Sequence, residues 1–282
     1  MDNLQTPLNF APPGHFYSPH PDLHEVEARA AELFGTVPAA VPGVELNDEG
    51  QLALVAEFAR YYGDLPWADE ARPPLRYYYG NHFFCHGDAI ALSSLLRHVR
   101  PRRVVEVGSG FSTAVMLDTW EQFGAPAHLT CIEPYPDRLR SLLRPDEGER
   151  CVVREQKLQD VEPALFATLA AGDVLFADCS HVSKVGSDVN RLVFEILPSL
   201  AVGVWVHFHD IFYPFEYPRS WFHEGRAWNE AYLLRAFLQY NHAFQIRFFG
   251  SYLHARHAAA ITHHLPLTAR NPGGSLWLQK VA

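Results

Sequence analysis

The sequence predicts an α/β protein built on a doubly wound sheet. From Arg103 onward, short apolar runs typical of strands alternate with helical patterns, and this alternation is typical of parallel βαβ units. A glycine turn at Gly108 and Gly110 follows the first strand, where a doubly wound sheet commonly binds a ligand. The last strand-like run, 275–281, follows NPGG and a stretch read as non-helical, which predicts an added antiparallel strand.

The elements can be placed along the chain from their periodicity. Strands are predicted at 103–107, 127–132, 150–154, 173–178, 203–209, 244–249 and 275–281. Helices are predicted near 112–122, 137–144, 161–170, 188–199 and 228–240. Residues 1–100 hold further helical patterns and an aromatic connector, 72–84. We expect this N-terminal helical segment, 1–100, to pack on an α/β domain, 101–282, as one body.

Composition and charge argue against several classes of partner. The chain has 282 residues, 48% of them apolar, and a formal net charge of −9 without a basic cluster. Nucleic acids and anionic membranes attract basic surfaces, so neither is an expected partner. The N-terminus lacks the regions of a signal peptide, and the scattered cysteines favour reduced thiols. We therefore expect a cytoplasmic protein whose partner is a small molecule, and a homodimer is compatible with it.

The turn after the first strand is a candidate ligand site. It reads EVGSGFST from Glu106, and its glycines allow a ligand to approach the backbone closely. The third glycine of the dinucleotide motif is absent, and the acid before the turn suits a cationic or hydroxyl-rich ligand better than a pyrophosphate. Glu133 ends the second strand, where this fold places an acid against ribose hydroxyls. A turn without a ligand is the structural alternative.

With these motifs the chain resembles the class I S-adenosylmethionine (SAM) methyltransferases. The stretches that narrow the likeness to a bacterial subgroup are GNHFFCHGDA, DCSHVSKVGSDVN, HFHDIFYPFEYP, WNEAYLL and PGGSLWLQK. The resemblance implies a Rossmann-like seven-stranded sheet of order 3-2-1-4-5-7-6 with the last strand antiparallel, and a transferase that uses SAM. The cofactor-binding residues that it implies are Glu106, Gly108, Ser109, Gly110, Ser112, Glu133, Asn81, Tyr78 and Asp178.

Ionisable side chains follow the fourth and fifth strands, which this fold places side by side. Asp178 ends the fourth strand with His181 close behind it, and His209 and Asp210 end the fifth. Neighbouring strands lie about 5 Å apart, so these groups should converge at one edge of the sheet. His207 lies one pleat deeper, where we expect a hydrogen-bonded core histidine. A methyl acceptor would lie at this edge, beside the cofactor.

Three interpretations of this cluster are open. One of its histidines acts as a general base on an acceptor hydroxyl, with a carboxylate orienting the ring. In the second, Asp178, His209 and Asp210, joined by His254, bind a divalent metal that acidifies the hydroxyl. Ile211 stands where the metal-dependent catechol-type methyltransferases carry Asn, which weakens a magnesium site. In the third, buried hydrogen-bonded histidines hold loops together.

The predicted function is SAM-dependent methylation of a small polar molecule, at oxygen, because a thiol acceptor would not need such a cluster. One alternative is an enzyme of the same fold that uses a metal, with iron as a candidate, for chemistry other than methylation. The other is a non-catalytic SAM-binding protein. The first alternative predicts tightly bound metal without methyl transfer, and the second predicts ligand binding without activity.

Overall fold

A seven-stranded sheet of order 3-2-1-4-5-7-6 forms the centre of the protein, which is seen in a computed structural model that describes residues 10–145, 147–148 and 150–282. Its strands are Arg103–Val107 (β1), His128–Ile132 (β2), Cys151–Arg154 (β3), Val174–Ala177 (β4), Trp205–Phe208 (β5), Phe244–Phe249 (β6) and Leu276–Lys280 (β7). β7 runs antiparallel to both of its neighbours, β5 and β6, and the other pairings of the sheet are parallel. The predicted fold class, strand order and antiparallel last strand are confirmed.

Helices flank the sheet on both sides. Those before β1 are Leu23–Ala28 (α1), Ala30–Phe34 (α2), Asp48–Tyr62 (α3) and His86–Val99 (α4). Those after it are Phe111–Phe123 (α5), Asp137–Leu142 (α6), Asp188–Arg191 (α7), Leu197–Ser199 (α8), Arg219–His223 (α9), Glu230–Leu238 (α10), Gly250–Arg256 (α11) and Ala258–His264 (α12). Shorter turns are 3-10 helices at Leu158–Asp160, Pro163–Thr168 and Pro266–Ala269, and a π turn at Leu192–Ile196. No helix in the described ranges has the length and apolar character needed to cross a membrane.

The core consists of two apolar layers because alternate side chains of a strand point to opposite faces of the sheet. Val105 and Val107 of β1 belong to one layer, and Val104 belongs to the other. Helices of the N-terminal segment complete the second layer: α4 packs on α5, and α3 packs on α4 and β6. Helices α3 and α4 of the N-terminal segment therefore share a core with the sheet, while α1 and α2 contain no buried residues and residues 1–9 lie outside the described residues.

The return from β6 to β7 corrects the sequence prediction. We expected a non-helical stretch after residue 249, yet α11 and α12 fill it. Within these two helices, the buried apolar side chains are Tyr252, Leu253 and Ile261. This periodic signal is too sparse to reveal a helix from the sequence. A second difference concerns the helix expected at 161–170, which is a shorter 3-10 helix at Pro163–Thr168. Neither difference changes the order of the strands.

Candidate active site

A cavity of about 600 Å³ opens at the carboxyl ends of β1, β2 and β4. Gly108, Glu133 and Asp178, each placed directly after one of these strands, line it. Lys157 and Gln159, from the stretch after β3, line another part of its wall. Doubly wound sheets bind ligands at this edge, because the loops that follow parallel strands gather there.

The turn that lines this cavity depends on glycine. Gly108 has a φ of +76°, and a β-carbon on it would lie 1.7 Å from the carbonyl oxygen of Asp178. A side chain at position 108 would therefore collide with the backbone that follows β4. It would also strain the backbone of residue 108, because its φ is positive. The N–H of Gly110, at the start of α5, donates to Oγ1 of Thr113 at 3.1 Å. The turn can approach the end of β4 this closely only with glycine at 108.

Glu106 lies beneath the turn and outside the cavity. Its carboxylate is fully buried and accepts hydrogen bonds from Oγ of Ser112 at 2.6 Å and Oγ1 of Thr113 at 2.5 Å. Burial raises the pKa of Glu106 to about 7, against these hydrogen bonds. The structure therefore places two predicted cofactor residues, Glu106 and Ser112, where they tie β1 to α5 and support the turn.

Glu133 faces the cavity and meets the glycine turn. Its Oε2 accepts the N–H of Ser109 at 3.0 Å, and its Oε1 accepts the N–H of Tyr135 at 2.8 Å. Each carboxylate oxygen keeps a further lone pair for a ligand hydroxyl. The backbone of Ser109 thus contributes to the site, whereas its buried Oγ has no partner in the described structure.

Asn81 organises the aromatic connector. Its Nδ2 donates to the carbonyls of Tyr78 and Phe84 at 2.6 and 2.9 Å. Its Oδ1 accepts the N–H groups of Phe83 and Phe84 at 3.0 and 2.7 Å. These bonds use both donors and both lone pairs, so the connector backbone satisfies the side-chain amide of Asn81. Tyr78 packs edge-to-face on Phe111 at the start of α5, with ring centres 5.7 Å apart.

The predicted cluster of acids and histidines forms at the ends of β4 and β5. Nε2 of His181 lies 3.4 Å from Oδ1 of Asp178 and 3.9 Å from Oδ2 of Asp210. Its Nδ1 lies 2.9 Å from Oε2 of Glu230, the first residue of α10. Glu230 was not among the site residues predicted from the sequence, although it lies in WNEAYLL, one of the stretches that carried the resemblance.

His181 is held as a cation between carboxylates. Burial disfavours its charge, but the hydrogen bonds to Asp178 and Glu230 outweigh burial and raise the pKa of His181 to about 10. Asp178 responds in the opposite direction: its pKa falls to about 2 because the charges of His209 and His181 outweigh its own burial. His181 therefore keeps both protons at neutral pH and cannot accept another.

His209 is buried without a satisfactory hydrogen bond. Its Nε2 lies 3.6 Å from Oδ1 of Asp210, and its Nδ1 has no partner among the described residues. Burial opposes its charge, but the carboxylates of Asp210, Asp178 and Asp88 raise the pKa of His209 to about 9. Leaving polar atoms of a buried imidazole unsatisfied is costly. His209 is therefore the histidine of the cluster with hydrogen-bonding capacity left for a ligand.

Strained backbone accompanies the cluster. His181 and Asp210 have φ values of +58° and +56°. This is a left-handed backbone conformation that residues other than glycine adopt at a cost of about 1–3 kcal/mol. The carbonyl of His181 accepts the N–H groups of Asn229 and Glu230 at 3.1 and 3.2 Å, which holds this conformation. Such strain is typical of functional sites.

The placement of the predicted metal ligands does not fit a preformed metal centre. No group of three or more His, Cys, Asp or Glu side chains is arranged to hold a metal ion within the described residues. His254 bonds Oγ1 of Thr268 at 3.0 Å, and no hydrogen bond or ion pair of the described residues joins it to the cluster. The two nitrogens of His181 are already occupied by carboxylates.

The matched region of a known family coincides with this edge of the sheet. Residues 105–211 match the family model of a methyltransferase domain. The match runs from β1 through β5, and it covers the glycine turn, Glu133 and the predicted residues of the cluster. The strand order of the sheet is the one expected for this class. The chain belongs to the class I methyltransferases.

This methyltransferase is similar to several other proteins. An uncharacterised protein of Archaeoglobus fulgidus is 36% identical to it over 163 residues, which cover 56% of this chain and 73% of the relative. The SAH-bound methyltransferase PaMTH1 of Podospora anserina is 13% identical, with 92% of this chain and 96% of that chain covered and a TM-score of 0.45. A methyltransferase from Geobacter sulfurreducens is 16% identical, with 91% and 96% covered and a TM-score of 0.37. Because the curated relative is archaeal, the bacterial origin expected from the sequence stays a prediction.

Proposed function

We propose that this methyltransferase binds SAM in the cavity lined by Gly108, Glu133 and Asp178 and methylates an oxygen of a small polar molecule. The observation that carries the proposal is that Glu133 and the glycine turn, joined by a hydrogen bond, face one cavity at the carboxyl edge of the sheet. When bound, SAM supplies an electrophilic methyl group on a positively charged sulfur.

The residues of the cavity suit the parts of such a cofactor. The free lone pairs of Glu133 would accept the ribose hydroxyls, and the turn at Gly108 would let the backbone approach the ligand. Asp178 stays ionised because its pKa is about 2, and its carboxylate favours a cationic group beside it. Lys157 and Gln159 form the wall that would meet the adenine.

The cluster at β4 and β5 would receive the acceptor. Methyl transfer is an in-line displacement, so the enzyme mainly holds the two reactants in line and removes the proton of the acceptor hydroxyl. We assign proton removal to the neutral form of His209, which becomes available as pH rises towards its pKa of about 9, because neither of its nitrogens makes a hydrogen bond of normal length. His181, fixed between Glu230 and Asp178, serves as a permanent positive charge that orients the carboxylates.

An aromatic wall borders this cluster and would enclose the acceptor. Trp228 packs on His181 with ring centres 4.3 Å apart, and Trp221 lies 5.1 Å from Trp228 in an edge-on arrangement. The guanidinium of Arg226 lies over both indoles, at 4.5 and 5.2 Å from their ring centres. Such a wall supports a small acceptor with a flat or apolar part beside its reactive hydroxyl.

The test is calorimetric titration of the purified, metal-free full chain with S-adenosylhomocysteine (SAH). We expect micromolar affinity that does not require metal and that weakens at least about tenfold in Glu133→Ala, equivalent to about 1.4 kcal/mol. Glu162→Ala is the matched control, because Glu162 is an acid that pairs with Arg154 on the surface and does not line the cavity. The control should bind as the native protein does.

The same titration separates the alternatives. Repeating it with magnesium, zinc or ferrous iron shows whether binding depends on a metal, as the metal-assisted alternative requires. Incubation with methyl-labelled SAM and a pool of small hydroxylated molecules then asks for transfer. Absence of SAH binding under every metal condition would overturn the proposal. Binding without transfer to any hydroxylated molecule would favour a non-catalytic SAM-binding protein.

A further inference from the structure

Three distant segments of the chain meet at Asp88, beside the cluster. Asp88 lies in the first turn of α4, and it is 3% exposed. Its Oδ1 accepts the N–H of Gly274 at 3.0 Å and the hydroxyl of Ser275 at 2.6 Å. Both donors precede β7, and all three residues lie outside the matched domain, 105–211. The proposed mechanism gives this carboxylate no role.

The turn before β7 is fitted closely around Asp88 and the end of β5. A β-carbon on Gly273 would lie 2.2 Å from Oδ1 of Asp88, and one on Gly274 would lie 2.7 Å from Cα of Asp210. The carbonyl of Gly274 also accepts the N–H of Ile211 at 2.9 Å. Because both positions are glycine, the turn packs directly on the carboxylate of Asp88 at Gly273 and on the backbone of Asp210 at Gly274. A movement of Asp88 would therefore also displace the backbone of Asp210.

A hydrogen-bonded chain connects Asp88 with His207 of β5. Ser275 has one hydroxyl proton, which it donates to Asp88, so its oxygen is left to accept from Nε2 of His207 at 3.1 Å. With Asp88 ionised and the hydroxyl directed to it, the ring proton of His207 belongs on Nε2. The ring of His207 is fully buried, stacks on Phe176 at 3.8 Å between centres, and lies 5.8 Å from the ring of His209.

The charge of the surroundings agrees with a neutral His207. Burial, and after it the neighbouring charge of His209, lower the pKa of His207 well below its ordinary value. Asp88 in turn is one of the carboxylates whose charge acts on His209. The two histidines of β5 thus differ in charge, and the charge of Asp88 acts on His209.

We propose that Asp88 is a positioning residue of the active site. Through Ser275 it orients the imidazole of His207, whose ring lies 5.8 Å from that of His209. Through the turn at Gly273 and Gly274 it holds Asp210 at the acceptor edge. This inference rests on the proposed function of that edge. It also makes the N-terminal segment, through α4, a part of the active site and not only a cover for the sheet.

The first test is the tautomer of His207, read by NMR on the full chain with 15N-labelled histidine. The signals of His207 are assigned by their loss in His207→Gln. In the native protein we expect a neutral ring with its proton on Nε2. In Asp88→Asn, the charged acceptor of Ser275 is lost, and the hydroxyl can turn towards His207. We then expect a substantial population with the proton on Nδ1.

A matched control separates positioning from general stability. Asp118 is also fully buried, it accepts hydrogen bonds from Trp67 and Arg76, and no hydrogen bond of the described residues joins it to Asp88, Ser275 or His207. Asp118→Asn should lower stability while leaving the tautomer of His207 unchanged. If Asp88→Asn does not fold, Ser275→Ala interrupts the same chain and should alter the His207 signals.

The functional readout is the split between turnover and cofactor binding. Loss of a partner that orients an active-site group typically costs about 10–100-fold in activity. We expect Asp88→Asn to lower kcat by about that factor, with the Kd for SAH nearly unchanged. A native His207 with its proton on Nδ1, or an Asp88→Asn spectrum and kcat matching those of Asp118→Asn, would overturn the inference. Failure of the proposed function would show separately, as absence of SAH binding in the native protein.

Discussion

The two halves of the active-site edge are built in different ways. At the ends of β1 and β2, each carboxylate is satisfied locally: Glu106 by the hydroxyls of α5, and Glu133 by backbone N–H groups of the neighbouring turns. At the ends of β4 and β5, charged groups crowd together, His209 lacks a satisfactory hydrogen bond, and two residues have left-handed backbone. In the first half, which we call the cradle, each of these carboxylates already accepts hydrogen bonds from the protein. In the second half, His209 keeps hydrogen-bonding capacity that a reactant can use.

The first prediction adds a side chain to the glycine turn of the cradle, where we expect the largest effect. In Gly108→Ala, the new methyl group would lie at 1.7 Å from the carbonyl oxygen of Asp178, so the turn must move. We expect loss of detectable SAH binding and a fall of about 3 kcal/mol or more in the free energy of unfolding. Gly172→Ala is the control: Gly172 also has positive φ, +86°, but nothing lies within 4 Å of its β-carbon position. It should cost only about 1–2 kcal/mol and keep binding.

The second prediction concerns His209, in the half of the site at the ends of β4 and β5. His209→Gln removes the group that we assign to proton removal, and loss of a general base typically costs about 10²–10⁴-fold in rate. We expect kcat to fall by about that factor with SAH affinity unchanged, as measured by single-turnover transfer and calorimetry. A variant that retained the native kcat would remove His209 from the mechanism.

The third prediction sharpens the role of His209 through pH. The native pKa of about 9 means that His209 becomes a base only as pH rises towards that value. The rate of transfer should therefore rise about tenfold per pH unit between pH 7 and 8 and level off above about pH 9. A rate that is flat across this range would instead indicate a carboxylate or an already ionised acceptor.

The fourth prediction concerns stability, and His181 sets its sign. Its pKa is raised from 6.5 to about 10 in the folded protein, so the pairing stabilises fully below about pH 6.5 and is lost as pH rises through about 10. The free energy of unfolding should decline by a few kcal/mol between pH 7 and 10. His181→Gln should be less stable at pH 7 and should show a shallower decline, both measured by denaturant titration.

The comparison also explains what the sequence could predict. The strands and Glu133 follow from patterns within short stretches, since a glycine turn and an acid after β2 are local features. The order of the strands was implied by the resemblance to the class I methyltransferases. The meeting of Asp178, His181, His209 and Asp210 follows from the neighbouring positions of β4 and β5. Periodicity therefore predicted the elements, and the family resemblance supplied the order in which the strands lie.

Residues that reach the site from elsewhere could not be predicted in this way. Glu230 enters from the first turn of α10, and Asp88 enters from α4, so no spacing in the sequence relates them to β4 or β5. Asn81 needed a partner, as the sequence indicated, but whether that partner was backbone or cofactor depends on the fold of the connector. His254 falls in helix α11, which the sparse apolar pattern concealed.

The central claim is that the cradle and the cluster are two halves of one site. The most direct test is a crystal structure of the full chain with SAH. The account predicts the ribose hydroxyls on Glu133, and the sulfur directed towards the edge where Asp178 and His209 lie. An SAH molecule bound elsewhere, or one whose sulfur points away from that edge, would contradict the account.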